Sequence, residues 1–117
     1  MNKYVLIAAG LVVLLLLVNR FRTALSADSG KVKGMIENGA LIVDVRSVAE
    51  YQSGHYPGAI NIPVDQVQKR VDEFGGKENP IIVYCASGGR SGSAKSFLES
   101  IGFTNVTNAG GLSNMPK

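Results

Sequence analysis

Two hydrophobic patterns divide the chain. Residues 5 to 18, Val-Leu-Ile-Ala-Ala-Gly-Leu-Val-Val-Leu-Leu-Leu-Leu-Val, are 14 consecutive uncharged apolar positions, preceded by Lys3 and followed by Arg20 and Arg22. A helix of this composition is apolar on every side, which a small domain could scarcely cover, so the run predicts a hydrophobic N-terminal helix set apart from the rest. Such a run spans about 21 Å against a hydrocarbon layer of roughly 30 Å, and the flanking turns and snorkelling arginines can lengthen it. The reading is an uncleaved, single-pass membrane anchor over residues 1–22, with residues 23–30 as a small, polar linker. The alternative is a signal peptide removed on export to the periplasm. Arg20, Arg22 and the tripeptide Leu25-Ser26-Ala27 fit a small, neutral cleavage site poorly. Lys3 with the amino terminus balances Arg20 with Arg22, so the charges favour neither side of the membrane.

Residues 31–117 show the second pattern, short apolar groups separated by Gly, Pro, Asn and Ser. Val32, Met35 and Ile36 recur at helical spacing and predict a helix over 31–38 closed by Asn38-Gly39. Ala40 to Val45 and Ile81 to Tyr84 lack polar alternation, as strands buried on both faces of a parallel sheet do. Ser47 and Glu50 form a capping box for a brief helix over 47–52. A short strand follows at Ala59–Ile62. Val64, Val67, Val71 and Phe74 then line one side of a helix stopped by Gly75-Gly76. Residues 91–100 predict a helix with Ala94, Phe97, Leu98 and Ile101 facing the sheet, and Val106 belongs to a last strand. Alternating strands and helices make this an α/β domain, a parallel sheet flanked by helices, whose ligands gather beyond the carboxyl ends of the strands.

Charge narrows the partners. The net +3 comes from the N-terminal segment, because residues 28–117 hold nine Lys or Arg against nine Asp or Glu. No basic stripe supports nucleic-acid binding. No cluster of His, Cys and carboxylates suggests a metal.

Cys85 is the one cysteine, so an intramolecular disulfide is excluded. It sits at the expected carboxyl end of a strand, before Ala86-Ser87-Gly88-Gly89-Arg90-Ser91 and a helix. Glycines here let successive N–H groups turn inward as a nest for negative charge, and the helix N-terminus adds free N–H groups. A thiolate held there has a lowered pKa and is a better nucleophile. Free cysteines are also commonly buried spacers, so the physical features alone leave both readings open. A cysteine phosphatase also uses such a cradle, but its loop is one residue longer than the four residues between Cys85 and Arg90.

Several separated motifs resemble a single-domain rhodanese. They are Asp44-Val45-Arg46, Glu50-Tyr51, Gly54-His55-Tyr56-Pro57-Gly58-Ala59-Ile60-Asn61-Ile62-Pro63, Cys85 to Ser91, and Asn108-Ala109-Gly110-Gly111, in the expected order over about residues 31–115. The resemblance implies a rhodanese-like domain over 31–117 and sulfur transfer through a Cys85 persulfide, with no metal or organic cofactor. The donor would be thiosulfate or a persulfide, and the acceptor a thiol, cyanide or a protein. Ala86, Ser87, Gly88, Gly89, Arg90 and Ser91 would bind the persulfide and substrate. Asp44, Arg46, Glu50 and His55 would support the active side, Asp44 by pairing with Arg90 or Arg46 and His55 through a ring hydrogen bond to backbone in a structural turn. A nonenzymatic, membrane-associated sulfur carrier is the alternative function. The family often places a tryptophan after the final Gly-Gly. Here Leu112-Ser113-Asn114-Met115 stands instead, so a different surface is expected to close that edge. No basic side chain lies between Cys85 and Arg90, which shifts the expected donor toward a protein persulfide or polysulfide.

Overall fold

The two uninterrupted apolar runs of the domain lie side by side at the centre of one sheet in the computed structural model of the chain, which describes residues 2–25 and 27–117. Met1 and Ser26, within the expected anchor and linker, lie outside the described residues, as do the side chains of residues 18–25. Strands β1 (Leu41–Asp44), β2 (Ile60–Asn61), β3 (Ile81–Cys85) and β4 (Val106–Gly111) form a four-stranded parallel sheet in the order β2-β1-β3-β4. Every residue of β3 is buried, as its unbroken hydrophobicity predicts for a central strand covered on both faces.

Alternation along β3 assigns the two layers. Ile81, Val83 and Cys85 join a cluster with Val43, Val45, Ala94, Leu98 and Phe103, under helix α4 (Gly89–Ser100). Ile82 and Tyr84 join Val32, Ile42, Ala59, Ala109 and Met115, on the side of helix α2 (Ser29–Glu37). Asp28 caps α2, its carboxylate accepting the Lys31 N–H at 2.8 Å. Met115, 6% exposed, packs into the second cluster, so an aliphatic side chain closes the edge where an aromatic was absent.

Three elements differ from the expected pattern. Residues 64–74 are two 3-10 segments, Val64–Gln66 and Gln68–Phe74, with a non-helical break at Arg70. Three-residue turns bring positions 64 and 67, and then 71 and 74, to the same side, and the break supplies the extra residue between the pairs. Val67 and Phe74 are accordingly buried. Strand β4 runs on through the two glycines, and α4 begins two residues early, at Gly89. Helix α3 (Val48–Gln52) is N-capped by Ser47 in the expected capping box with Glu50.

Helix α1 spans Lys3–Leu25. Its large apolar side chains from Val5 to Leu17 are all more than half exposed. Among the described residues no helix is long and apolar enough to cross a membrane. The expected transmembrane anchor therefore lacks structural support: the helix is long, but its unbroken apolar run, Val5 to Val18, is 14 residues, about 21 Å at 1.5 Å per residue.

Candidate active site

Cys85 closes β3 beside the carboxyl end of β4, where it pairs with Gly111. Its side chain is 1% exposed, at the point where β3 ends and the chain turns into α4. Gly88, the N-cap of α4, has φ 103°, a left-handed conformation that lets the turn close within three residues. The Gly88 N–H donates to the Cys85 sulfur at 3.0 Å, and the Ser91 hydroxyl lies 3.4 Å from it. Burial is the largest single influence on the thiol and pushes its pKa up. The Ser91 hydroxyl and the N–H groups of Ser91, Ser87 and Gly88 together outweigh burial and bring it down to about 7. The side chain is thus set up as a thiolate near neutral pH.

Strand β4 braces this turn from the side. Asn108, buried, accepts from Ser91 Oγ at 2.7 Å and from the Gly110 N–H at 2.9 Å, while its Nδ2 donates to the Gly88 carbonyl at 3.1 Å. A Cβ at Gly111 would lie 2.3 Å from the Ala86 carbonyl oxygen, so a glycine is required where strand and loop touch. Asn108 and Gly111 were visible only as part of a family motif, and no local signal in the sequence marked their contacts with the loop.

Arg90, in the first turn of α4, reaches back to α3. Its NH1 and NH2 donate to Glu50 Oε1 and Oε2 at 2.7 and 3.0 Å. Glu50 also accepts the Ser47 N–H of its own capping box, at 3.2 Å. The Arg90 guanidinium, followed by the Ser47 N–H, holds the Glu50 carboxyl down to about 2. Arg90 is raised, first by Glu50 and further by the nearby Cys85 sulfur.

Of the two partners considered for Asp44, the structure selects Arg46. The Arg46 Nε lies 3.0 and 3.1 Å from the two carboxylate oxygens and NH2 lies 2.7 Å from Oδ2. Tyr84 completes the group, its hydroxyl donating to Asp44 at 2.8 Å and accepting the Tyr56 N–H at 3.0 Å. Burial first, with the Asp44 charge adding, pushes the Tyr84 phenol up to about 12, so it stays a donor. Arg46 NH2 also donates to the Gly54 carbonyl at 2.7 Å, tying the 54–56 segment to the strand end. His55 is exposed, stacked on Tyr51 with ring centroids 3.7 Å apart, its Nδ1 2.9 Å from the Tyr51 carbonyl. Cys85, Gly88, Arg90, Ser91 and Glu50 are therefore brought together around the turn. Asp44 and Arg46 form a separate buried network, and His55 contacts Tyr51 instead. The Tyr84 hydroxyl, carried by an otherwise apolar strand buried on both faces, is part of that network. Among the described residues no group of three or more His, Cys, Asp or Glu could hold a metal ion.

A family model described as Rhodanese-like domain matches residues 28–115. Thiosulfate sulfurtransferase PspE of Escherichia coli is 45% identical over 78 residues, which cover 64% of this chain and 75% of that protein. A rhodanese from E. coli solved with anions superposes with a TM-score of 0.63 at 42% identity, covering 67% of this chain and 95% of that one. The human single-domain sulfurtransferase TSTD1 gives a TM-score of 0.67 at 26% identity, covering 74% and 88% of the two chains.

Proposed function

Because the chain belongs to the rhodanese-like family of sulfurtransferases, we propose that it transfers sulfane sulfur through a persulfide on Cys85. The observation that carries this reading is the convergence of the Gly88 N–H and the Ser91 hydroxyl on one sulfur at the head of α4. The Cys85 thiolate attacks the outer sulfur of thiosulfate, the donor S–S bond breaks, and sulfite leaves. The terminal sulfur of the new persulfide keeps the negative charge, and donors fixed in advance stabilise it without reorganising. A thiol or cyanide then takes that sulfur and regenerates the thiolate, so one difficult transfer becomes two displacements.

The test is intact-mass measurement after exposure to thiosulfate. A gain of about 32 Da on Cys85 that disappears on adding cyanide or a thiol is the expected result, and its absence in Cys85→Ser identifies the nucleophile. A folded Cys85→Ser protein with full turnover would sink the mechanism. The 1% exposure of Cys85 favours weighing a second reading, a sulfur carrier that discharges only to a docked protein. A persulfide that forms but is not removed by any small acceptor would select it.

For α1, we infer attachment to lipid, motivated by the exposed apolar side chains of Val5 to Leu17 between Lys3 and the arginines at 20 and 22. Flotation of the full chain with liposomes checks this. Equal flotation of a chain lacking residues 2–25 would overturn it.

A further inference from the structure

The loop's cation is already occupied. Arg90 is forked onto Glu50 through both terminal nitrogens, at 2.7 and 3.0 Å. Glu50 is held where it stands by the Ser47 N–H at 3.2 Å and the Ser47 hydroxyl at 3.1 Å, so the carboxylate belongs to the fold of α3 and does not depend on a ligand. Arg46 is likewise forked onto Asp44. Ala86, Ser87, Gly88 and Gly89 add no charge. An anionic donor approaching Cys85 thus meets inward N–H groups and a guanidinium whose charge is offset.

We propose that Glu50 is a specificity-determining residue of this site: by occupying Arg90 it turns the site away from doubly charged thiosulfate and toward persulfides, R–S–SH, of low charge. This rests on the sulfur-transfer reading above. The Cys85 thiolate attacks the outer sulfur of R–S–SH, the Cys85 S–S bond forms as the donor's S–S bond breaks, and the proton leaves with R–SH. One negative charge enters the step and one remains on the Cys85 persulfide, with no net oxidation. With thiosulfate the same displacement expels sulfite and brings two further negative charges against the loop. Glu50 touches neither donor nor sulfur and acts through Arg90 as a positioning residue.

Glu50→Gln in the full chain removes the charge and one arm of the fork, while the single amide oxygen in the Oε1 position can still accept from the Ser47 N–H and from Arg90 NH1. Two ratios are read at low ionic strength. One is the rate of Cys85 alkylation by iodoacetate over that by neutral iodoacetamide. The other is kcat/KM for thiosulfate over that for hydroxyethyl persulfide. Both ratios are expected to rise about three- to tenfold in Glu50→Gln and to shrink again in high salt, since the pair is solvent-exposed and screened. The double variant Glu50→Gln/Arg90→Gln should lose the gain. Unchanged ratios, or a parallel loss with both donors, would overturn the proposal in favour of a purely structural ion pair. Should wild type accept sulfur from neither donor, the sulfur-transfer reading falls, and the alkylation ratio still decides whether Glu50 offsets Arg90.

Discussion

Ser91 Oγ lies 2.7 Å from Asn108 Oδ1 and 3.4 Å from the sulfur of Cys85, so one hydroxyl stands between the middle of β4 and the nucleophile. The Asn108 amide is oriented by two backbone partners, the Gly110 N–H on its oxygen and the Gly88 carbonyl on its nitrogen. A serine hydroxyl has one proton, which Asn108 and the sulfur must share. Forming the thiolate draws that proton toward sulfur, while the Asn108 oxygen still accepts the Gly110 N–H. Ser91→Ala should therefore raise the Cys85 pKa and slow its alkylation at pH 7 several-fold, because a direct donor to the thiolate is lost. A pH–rate profile that does not move would show that the backbone N–H groups suffice. Asn108→Ala should cost about 1–3 kcal/mol in urea unfolding, the penalty for leaving buried polar partners unmade.

The same thiol sets the pH dependence. Its pKa is lowered to about 7 by the Ser91 hydroxyl and loop N–H groups, against the opposing and individually largest effect of burial. Persulfide formation and alkylation should rise with pH to a midpoint near 7, where an unperturbed cysteine would give about 8.5. The linked stability has the sign of a depressed acid. It is fully present above the unfolded-state pKa and lost as pH falls through about 7. Parallel alkylation and urea-unfolding series from pH 6 to 9 check both, and a midpoint at the unperturbed value would contradict the assigned donors.

How far the sequence discloses this site depends on the separation of the partners. β1, β3 and the capping box of α3 are local patterns, apolar runs and a Ser-x-x-Glu spacing, and they were legible directly. The loop from Cys85 to Ser91 was legible because nucleophile, glycines and helix start are contiguous. The pairs Glu50–Arg90 and Asp44–Tyr84 each join residues 40 apart, and nothing in either segment names its partner. The Ser-x-x-Glu spacing discloses Glu50 as a helix cap, and only the fold shows that the same carboxylate takes Arg90 through both of its oxygens. The extent of β4 was hidden because Asn108, Gly110 and Gly111 have turn composition. They continue the strand through a register shift opposite Val83 and Tyr84, with Gly110 at φ 91°.

Gly111→Ala tests that continuation. The added Cβ would sit 2.3 Å from the Ala86 carbonyl oxygen, a backbone atom that cannot rotate away. The loop must shift, at a cost of about 1–3 kcal/mol typical of overpacking. Alkylation of Cys85 at pH 7 should slow in the folded variant as the N–H donors move off the sulfur. Normal stability with normal alkylation would mean that β4 does not brace the loop.

The Asp44, Arg46 and Tyr84 network should behave as scaffold and not as acid–base machinery. Asp44 is wholly buried and its carboxylate serves the Arg46 side chain, the Arg46 N–H at 2.9 Å and the Tyr84 hydroxyl at once. Asp44→Ala leaves a buried guanidinium without its counter-ion and should cost about 3–5 kcal/mol. Tyr84→Phe removes one donor from Asp44 and the acceptor of the Tyr56 N–H, so its cost should be smaller, about 1–3 kcal/mol. At a temperature where Tyr84→Phe remains folded, the midpoint of Cys85 alkylation should stay near 7, since neither Asp44 nor Tyr84 is among the groups that lower that thiol. A displaced midpoint in the folded variant would tie this network to the nucleophile, and the separation between scaffold and site would have to be redrawn.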